Sequence, residues 1–574
     1  MAKEERYDVV IIGAGHNGTT AAAYLAKCGL SVCVLEERPE CGGAQETTEP
    51  IAGVRIQPHA IANYGGSAPG WEQLELWKYG FRMDWDPNVP VVQDRYVDRV
   101  IYVRDGMSPV TQKDLLGWAK ITNLLVSADA YKDLMRATFW CPPHPPEVEL
   151  TPDNIPYMQV YKQYQPDMWT KELLEWTMFD LMDEYLDTEP FKVNMAWTAL
   201  VSGAHGHMEG VAIPALCSVA TVGPPAVAKP VASRGNMHGY FHAVIRCAIA
   251  HGAIFRTCCP VEEILIEHGR AVGVRLRDDA TWGAKKIWAD KAVISAAHIK
   301  PTFLQMIGPQ HLDSGFMQRI KDLSLKGGSL YMTHFLTKEE LRYRPQFQRQ
   351  PVEEFPFTGT FFPMESREIY FENVENALGR QQNLDLPPEK AMWGMVASSL
   401  YDPTHPQCTR PGLVINGPLW MMVPTPEYNV DGLDAMERDN GKAKWDEYMR
   451  QCLSCVVENL DDDNLVQIFS DSPLSQELRN TGMLGGSWYG IRCDRDEWWN
   501  ERPLPELARY RVPDIDGLYL AHQSAAHPGG LCLMAVGYNL MHILIEDGIA
   551  EPGDWWYPSP WYIPQEGKIS AIPG

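Results

Sequence analysis

The chain has 574 residues, of which 45% are hydrophobic and 22% charged; this is too long for one ordinary core and fits two to four units of an ordinary globular protein. A formal charge of −24 leaves no surplus of Lys and Arg to neutralise phosphates, which excludes nucleic acid as a partner and disfavours an anionic membrane surface. Thirteen scattered cysteines read as reduced thiols; with no signal-peptide pattern at the start and no run near eighteen apolar residues, the expectation is a cytoplasmic protein.

Tyr7 to Ile12 is a short β-branched run of the kind buried on both faces of a parallel sheet. Gly13, Gly15 and Gly18 follow as GxGxxG. The first allows a tight turn, the second lets backbone approach a pyrophosphate, and the third lets helix and strand pack closely. Thr19 to Gly29 predicts an Ala-rich helix whose N-terminal amides face phosphates, and Ser31 to Leu35 a second strand. Glu36 stands at its end, where a carboxylate binds the hydroxyls of an adenosine ribose. Glu36, Arg38 and the Gly42-Gly43 pair resemble the extension of two-dinucleotide-binding-domain flavoproteins, in which a second glycine turn lets the chain follow a long cofactor. FAD is therefore favoured over NAD.

Further along, residues 113 to 200 are helix-periodic, and 141 to 152 and 222 to 230 are proline-stiffened loops. Arg234 to Asp290 reads as a helix, a strand ending near Cys258 and a β-meander turning at Gly269. Phe355 to Tyr370 and Trp393 to Pro424 look strand-like. Cys452 and Cys455 form a CxxC in a helix-periodic stretch with no second pair, which reads as helix packing rather than redox or zinc chemistry, and no metal site is expected. Leu518 to Asn539 predicts a strand, a Pro-Gly-Gly turn and a helix start.

These segments, with DPTHP at Asp402 to Pro406, resemble the phytoene desaturase-like flavoproteins over most of the chain in outline. Within that family the GAGHNG start resembles the branch of pyridine nucleotide-disulphide oxidoreductase domain-containing protein 2. The resemblance implies an α/β, Rossmann-type two-dinucleotide-binding-domain flavoprotein (FAD/NAD(P)-binding fold) with an α+β substrate domain. The expected FAD-binding domain is discontinuous, at 1–80, 232–300 and 503–560, with substrate-binding parts at 81–231 and 301–502 and a tail at 561–574. It further implies that Gly13, Gly15 and Gly18 wrap the pyrophosphate, that Glu36 takes the adenosine ribose with Arg38, Gly42 and Gly43 nearby, and that Val261 offers backbone to the adenine. Gly529 and Gly530, followed by Leu531 to Met534 and including Cys532, would open a helix whose N-terminus faces the flavin's pyrimidine edge. The chain departs from the family at His522, where a glycine is usual, at Gly235-Asn236 in place of a glycine pair, and at Ala44, where relatives carry Arg. There is neither a second strand-GxGxxG-helix nor a cysteine pair after the first FAD segment, so NADPH reduction is disfavoured and oxygen, a quinone or a carrier is left as electron acceptor.

A flavin accepts the hydride, and the protein positions the C–H bond and handles the proton. His522 and His527 flank the turn expected at the flavin and are the candidate acid, base or substrate partners, His527 being the better placed. His16 reads as a structural neighbour of the cofactor. Tyr64, His238, Tyr240, Trp488 and Tyr538 are candidate pocket residues, Cys532 a candidate for a covalent flavin link, and Lys326 a candidate counterpart of the amine-oxidase lysine. The expected activity is FAD-dependent desaturation or dehydrogenation of a small apolar, terpenoid or alicyclic skeleton. The alternatives are a flavin oxidase of C–N substrates releasing hydrogen peroxide, and a non-catalytic FAD-holding scaffold subunit. Peripheral membrane contact and a homo- or hetero-oligomer stay open.

Overall fold

The computed structural model describes residues 5–60, 67–81, 111–126, 128–190, 192–193, 196, 209–210, 212–213, 216, 236–325, 329–342, 344–345, 366–378, 386–391, 393–395, 410–423, 441–487, 489–492, 498–529 and 534–566. Its strands are β1 Glu5–Ile12, β2 Val32–Leu35, β3 Thr48–Ile51, β4 Val54–Ile56, β5 Ile254–Arg256, β6 Val261–Glu267, β7 Arg270–Leu276, β8 Lys286–Ser295, β9 Ser329–Thr337, β10 Trp393–Met395, β11 Val414–Val423, β12 Leu465–Asp471 and β13 Leu518–Leu520. Seven of them form one sheet in the order β5-β2-β1-β8-β7-β6, with β13 joining β8 in parallel. β5, β2, β1, β8 and β13 run parallel, while β6 and β7 are an antiparallel excursion from β8.

The continuous apolar runs follow from this placement. In β1, Val9 and Ile11 face one side of the sheet and Val10 and Ile12 the other, and all four are buried; β2 repeats the pattern, with Val32 and Val34 opposed to Cys33 and Leu35. The first side is covered by the helix His16–Lys27, whose small residues admit two further helices, Asn236–Ala250 and Ala535–Glu546. The approach is close: a Cβ on Gly537 would lie 2.6 Å from Thr20 Cγ2. Residues 555–562 then fold back over this layer, where Trp555 stacks on Tyr24 at 6.2 Å and Trp556 meets Tyr538 at 5.1 Å.

A second sheet, antiparallel in the order β10-β11-β9-β12, has β9 buried along its whole length at the centre. The helix Gly441–Ser454 covers it with Trp445, Met449, Cys452 and Leu453. Cys452 is thus a packing residue, its thiol pushed far up by burial, and Cys455 lies just past the helix end, its thiol bonded to the Gln451 carbonyl. No cluster of metal-ligating side chains exists among the described residues.

The strand-like reading of Phe355 to Tyr370 is corrected where it can be followed: Arg367–Leu378 is a helix. Tyr370 and Phe371 pack around Phe179, and Arg367 pairs with Asp183 and Glu189 at the helix start, so tertiary packing overrides the β preference of Ile369, Tyr370 and Phe371. Among the described residues no helix is long and apolar enough to cross a membrane.

Candidate functional site

The turn after β1 carries the first part of the site. Gly13 has φ +96°, and a Cβ there would lie 3.0 Å from the Ala296 carbonyl at the end of β8. A Cβ on Gly18 would lie 2.2 Å from the Gly13 carbonyl, so helix and turn meet only through glycine. The helix begins at His16 behind Gly15, which supplies no side-chain cap to the donors of its first turn.

The second glycine turn lies against the first. Gly15 and Gly42 form a parallel bridge, Gly42 N–H donates to the Ala14 carbonyl at 3.0 Å, and a Cβ on Gly43 would lie 3.1 Å from Gly15 Cα. Glu36, buried at the end of β2, accepts the Ala14 N–H at 2.8 Å and the Arg38 N–H at 3.0 Å. Burial raises its carboxyl above the usual range against the pull of those two amides. Arg38 pairs with Glu40 and with the buried Glu46, which lies 3.6 Å from His59 Nε2 and 3.6 Å from Arg479 Nη1. Along this strip several buried polar atoms have no hydrogen-bond partner: His16 Nε2, Asn17 Oδ1, Arg38 Nη1, both amide atoms of Gln45 and Thr47 Oγ1. Native interiors rarely leave such groups unpaired unless a ligand or water meets them. Glycines at closest approach, an uncapped helix start and a row of unmet polar atoms together fit a dinucleotide laid along the turns.

The chain returns beside the same acid after β5. Cys259 N–H donates to the Glu36 carbonyl at 2.8 Å and Cys258 N–H to the Arg38 carbonyl at 2.9 Å, and Val261, first residue of β6, follows two residues after Cys259.

Past β13 the chain forms a loop through His522 and His527 to Gly529, which has φ +93°. His522 is buried; its Nδ1 accepts the Ser524 N–H at 3.1 Å and meets Ser524 Oγ at 2.8 Å, which places its proton on Nε2. Burial, with His298 and His16 nearby, holds its pKa well below the ordinary imidazole value. His298 lies 5.4 Å away ring to ring and bonds the Gly490 carbonyl through Nε2 at 2.8 Å. His527 is fully buried, its Nε2 on the Thr138 carbonyl at 2.9 Å and its ring packed edge-on to Trp498 and Trp499. Burial lowers its pKa to about 3. His527 is packed into the wall of the loop with its Nδ1 buried and unpartnered, while His522 is held through Nδ1 by Ser524. Arg502, also buried, runs beneath them, donating to the Gln523 carbonyl at 2.6 Å and the Tyr489 carbonyl at 3.0 Å, and would lie 3.2 Å from a Cβ on Gly529.

Other candidates fall elsewhere. Tyr240 and Tyr538 are core residues around the helix His16–Lys27, and the His238 ring lies 4.1 Å from that of His242, tilted against it, on the helix Asn236–Ala250. Tyr64, Lys326, Trp488, Gly530, Leu531 and Cys532, with Asp402 to Pro406, lie outside the described residues. Asn17, Gln45, Glu46, His59, His298, Arg479 and Arg502 were not anticipated. Asn17 stands inside the first glycine motif and Gln45 and Glu46 directly after the second, while the other four meet the turns and the loop only through the fold.

The turn, the acid and the sheet order define a Rossmann-type dinucleotide-binding fold. Residues 11–74 match the NAD(P)-binding Rossmann-like domain family. Over 94% of each chain the protein is 24% identical to pyridine nucleotide-disulfide oxidoreductase domain-containing protein 2 of Rattus norvegicus. Over 97% of each it is 22% identical to a limonene dehydrogenase subunit of Castellaniella defragrans. The structure of putrescine oxidase bound to putrescine shares the fold with a TM-score of 0.53 and 15% identity, covering 94% of this chain and 98% of that one.

Proposed function

We propose that the chain is an FAD-dependent dehydrogenase that introduces a C=C bond into an apolar terpenoid or alicyclic skeleton. In this reading Gly13, Gly15, Gly18, Gly42 and Gly43 hold the pyrophosphate, Glu36 and Arg38 the adenosine ribose, Val261 the adenine, and Gly529 to Cys532 the flavin ring, with residues 1–80, 232–300 and 503–560 as the cofactor domain. Bound FAD supplies the acceptor for the hydride.

The observation that carries the substrate class is the neutrality of the loop. His298 and His527 are held uncharged by burial, at pKa values of about 4 and about 3, and His522 lies well below the ordinary value, so the loop and its wall bring no imidazolium charge to a substrate. An apolar skeleton suits such a site; a cationic amine requires a carboxylate or aromatic cage instead. His522, its Nε2–H fixed by Ser524, would orient a substrate carbonyl or hydroxyl by donating to it. The full-length likeness to one subunit of a limonene dehydrogenase supports this reading and adds a partner chain to the proposal.

The test is the visible spectrum of the purified protein, repeated after anaerobic addition of terpenoids, cyclic ketones and amines. Bleaching of the flavin band by the first two classes is expected. Bleaching by amines with return on admitting air establishes a C–N oxidase instead, and a yellow protein that no compound bleaches is a scaffold subunit.

A further inference from the structure

Residues 479–482 follow the helix Pro473–Arg479, which packs on the second sheet, yet they lie across the cofactor cradle of the first. Each of the four meets a different part of it. Arg479, anchored on Asp471 by Nη1 at 2.6 Å, lies 3.6 Å from Glu46. Thr481 Oγ1 donates to Glu37 at 3.1 Å, next to the ribose-binding acid. A Cβ on Gly482 would lie 3.3 Å from His522 Nε2 at the other end. Between them, Asn480 Nδ2 lies 3.9 Å from the position of a Gly43 Cβ, which is itself 3.1 Å from Gly15 Cα.

The amide of Asn480 has a defined sense. Its Oδ1 accepts the Gly482 N–H at 3.1 Å, so its two N–H donors belong to Nδ2, near the gap between the two glycine turns. The half-buried Nδ2 has no protein partner among the described residues, and along the same glycine turns His16 Nε2, Asn17 Oδ1 and the Gln45 amide are buried and unmet. A donor beside the glycine turns and unmet polar atoms along them suit a polar ligand laid there.

Resting on the FAD reading above, we infer that Asn480 donates to the pyrophosphate of FAD and that Arg479–Gly482 is a strap, delivered by the substrate-side sheet, that closes over the whole length of the cofactor. The strap ties cofactor retention to the packing of the second sheet.

The experiment measures FAD release from the holoprotein by recovery of flavin fluorescence on dilution, and ADP and adenosine binding to the flavin-stripped full chain by calorimetry. Asn480→Ala is expected to weaken FAD and ADP binding roughly 10- to 100-fold and leave adenosine within about 2-fold, as loss of a hydrogen bond to a charged group requires. Asn480→Asp loses more, and Asn480→Ser, which keeps a small donor, loses less. Thr481→Val, which removes only the Glu37 contact, leaves the ratio of ADP to adenosine affinity unchanged. If wild type holds FAD and Asn480→Ala holds it equally well, or weakens ADP and adenosine alike, the strap assignment is overturned while the FAD reading stands. A wild-type chain that binds neither FAD nor ADP overturns both.

Discussion

Glu36, at the end of β2, holds the Ala14 N–H of the neighbouring glycine turn at 2.8 Å, so the residue proposed to bind ribose also fixes the shape of that turn. Its other oxygen holds the Arg38 N–H at 3.0 Å. Glu36→Gln turns one acceptor into a donor that must face one of those two amides, whichever way the side chain flips. The expected result is a loss of roughly 1 to 3 kcal/mol in stability without cofactor, together with weaker FAD binding. Urea denaturation of the stripped protein and FAD titration check both parts; a loss of affinity with no loss of stability would show that Glu36 acts on the ribose alone.

Gly18 and Gly29 bound the same helix but constrain it differently. A Cβ at Gly18 meets the Gly13 carbonyl at 2.2 Å, so Gly18→Ala must push the helix off the turn and abolish FAD retention. Gly29 has φ +85° with nothing within 4 Å of a Cβ. Gly29→Ala should cost only about 1 kcal/mol of backbone strain and leave FAD bound. Flavin-to-protein absorbance ratios of the two purified variants decide the matter.

The first turn was legible because its constraints are local: Val9 to Leu35 contains both strands, the helix and the glycines that let them meet, in one register. The β-meander after Gly252 was legible for the same reason. Asn480 and His298 were not, since each reaches the cradle or loop from a segment whose placement depends on sheet pairing and helix packing far along the chain. The helix Arg367–Leu378 misled because its aromatic run has strand propensity that only Phe179 and the Arg367 ion pairs outweigh.

Glu546, at the end of the helix Ala535–Glu546, is completely buried between Arg509 at 2.7 Å and Arg511 at 2.6 Å, with the Tyr562 hydroxyl as a further donor. Burial alone would raise its carboxyl, but Arg509, Tyr562 and Arg511 hold it below the usual range. Glu546→Ala leaves two guanidinium groups competing for the remaining acceptors. The expected loss is about 3 to 5 kcal/mol, read by chemical denaturation, and residues 555–562 should become sensitive to protease.

Acid should destabilise the fold well above the carboxylate range. Burial lowers His16 and His298 to about 4 and His527 and His542 to about 3, from an ordinary value of 6.5. Each takes up a proton on unfolding but not in the native state, so its contribution is full above 6.5 and is lost as pH falls toward 3 to 4. The slope is about 1.4 kcal/mol per pH unit for each group. Glu36, raised by burial, works in the opposite sense but is a single group. The melting temperature should therefore be clearly lower at pH 5 than at pH 7, and equal temperatures would contradict native burial of these imidazoles.

His527 separates a structural from a catalytic role. Its Nε2 serves the Thr138 carbonyl, its ring is wedged against Trp498 and Trp499, and a pKa of about 3 leaves it uncharged and a poor proton acceptor at neutral pH. Gln carries an amide N–H that can reach the same carbonyl, although it does not fill the volume of the ring. His527→Gln is thus expected to lose roughly 1 to 3 kcal/mol of stability while the rate of flavin reduction by substrate stays within about 10-fold and its pH profile keeps its shape. A general acid or base removed from this position would instead slow reduction by roughly 100-fold or more and flatten one limb of the profile. Stopped-flow reduction from pH 6 to 9 distinguishes the two outcomes, and the second would return His527 to the reacting centre.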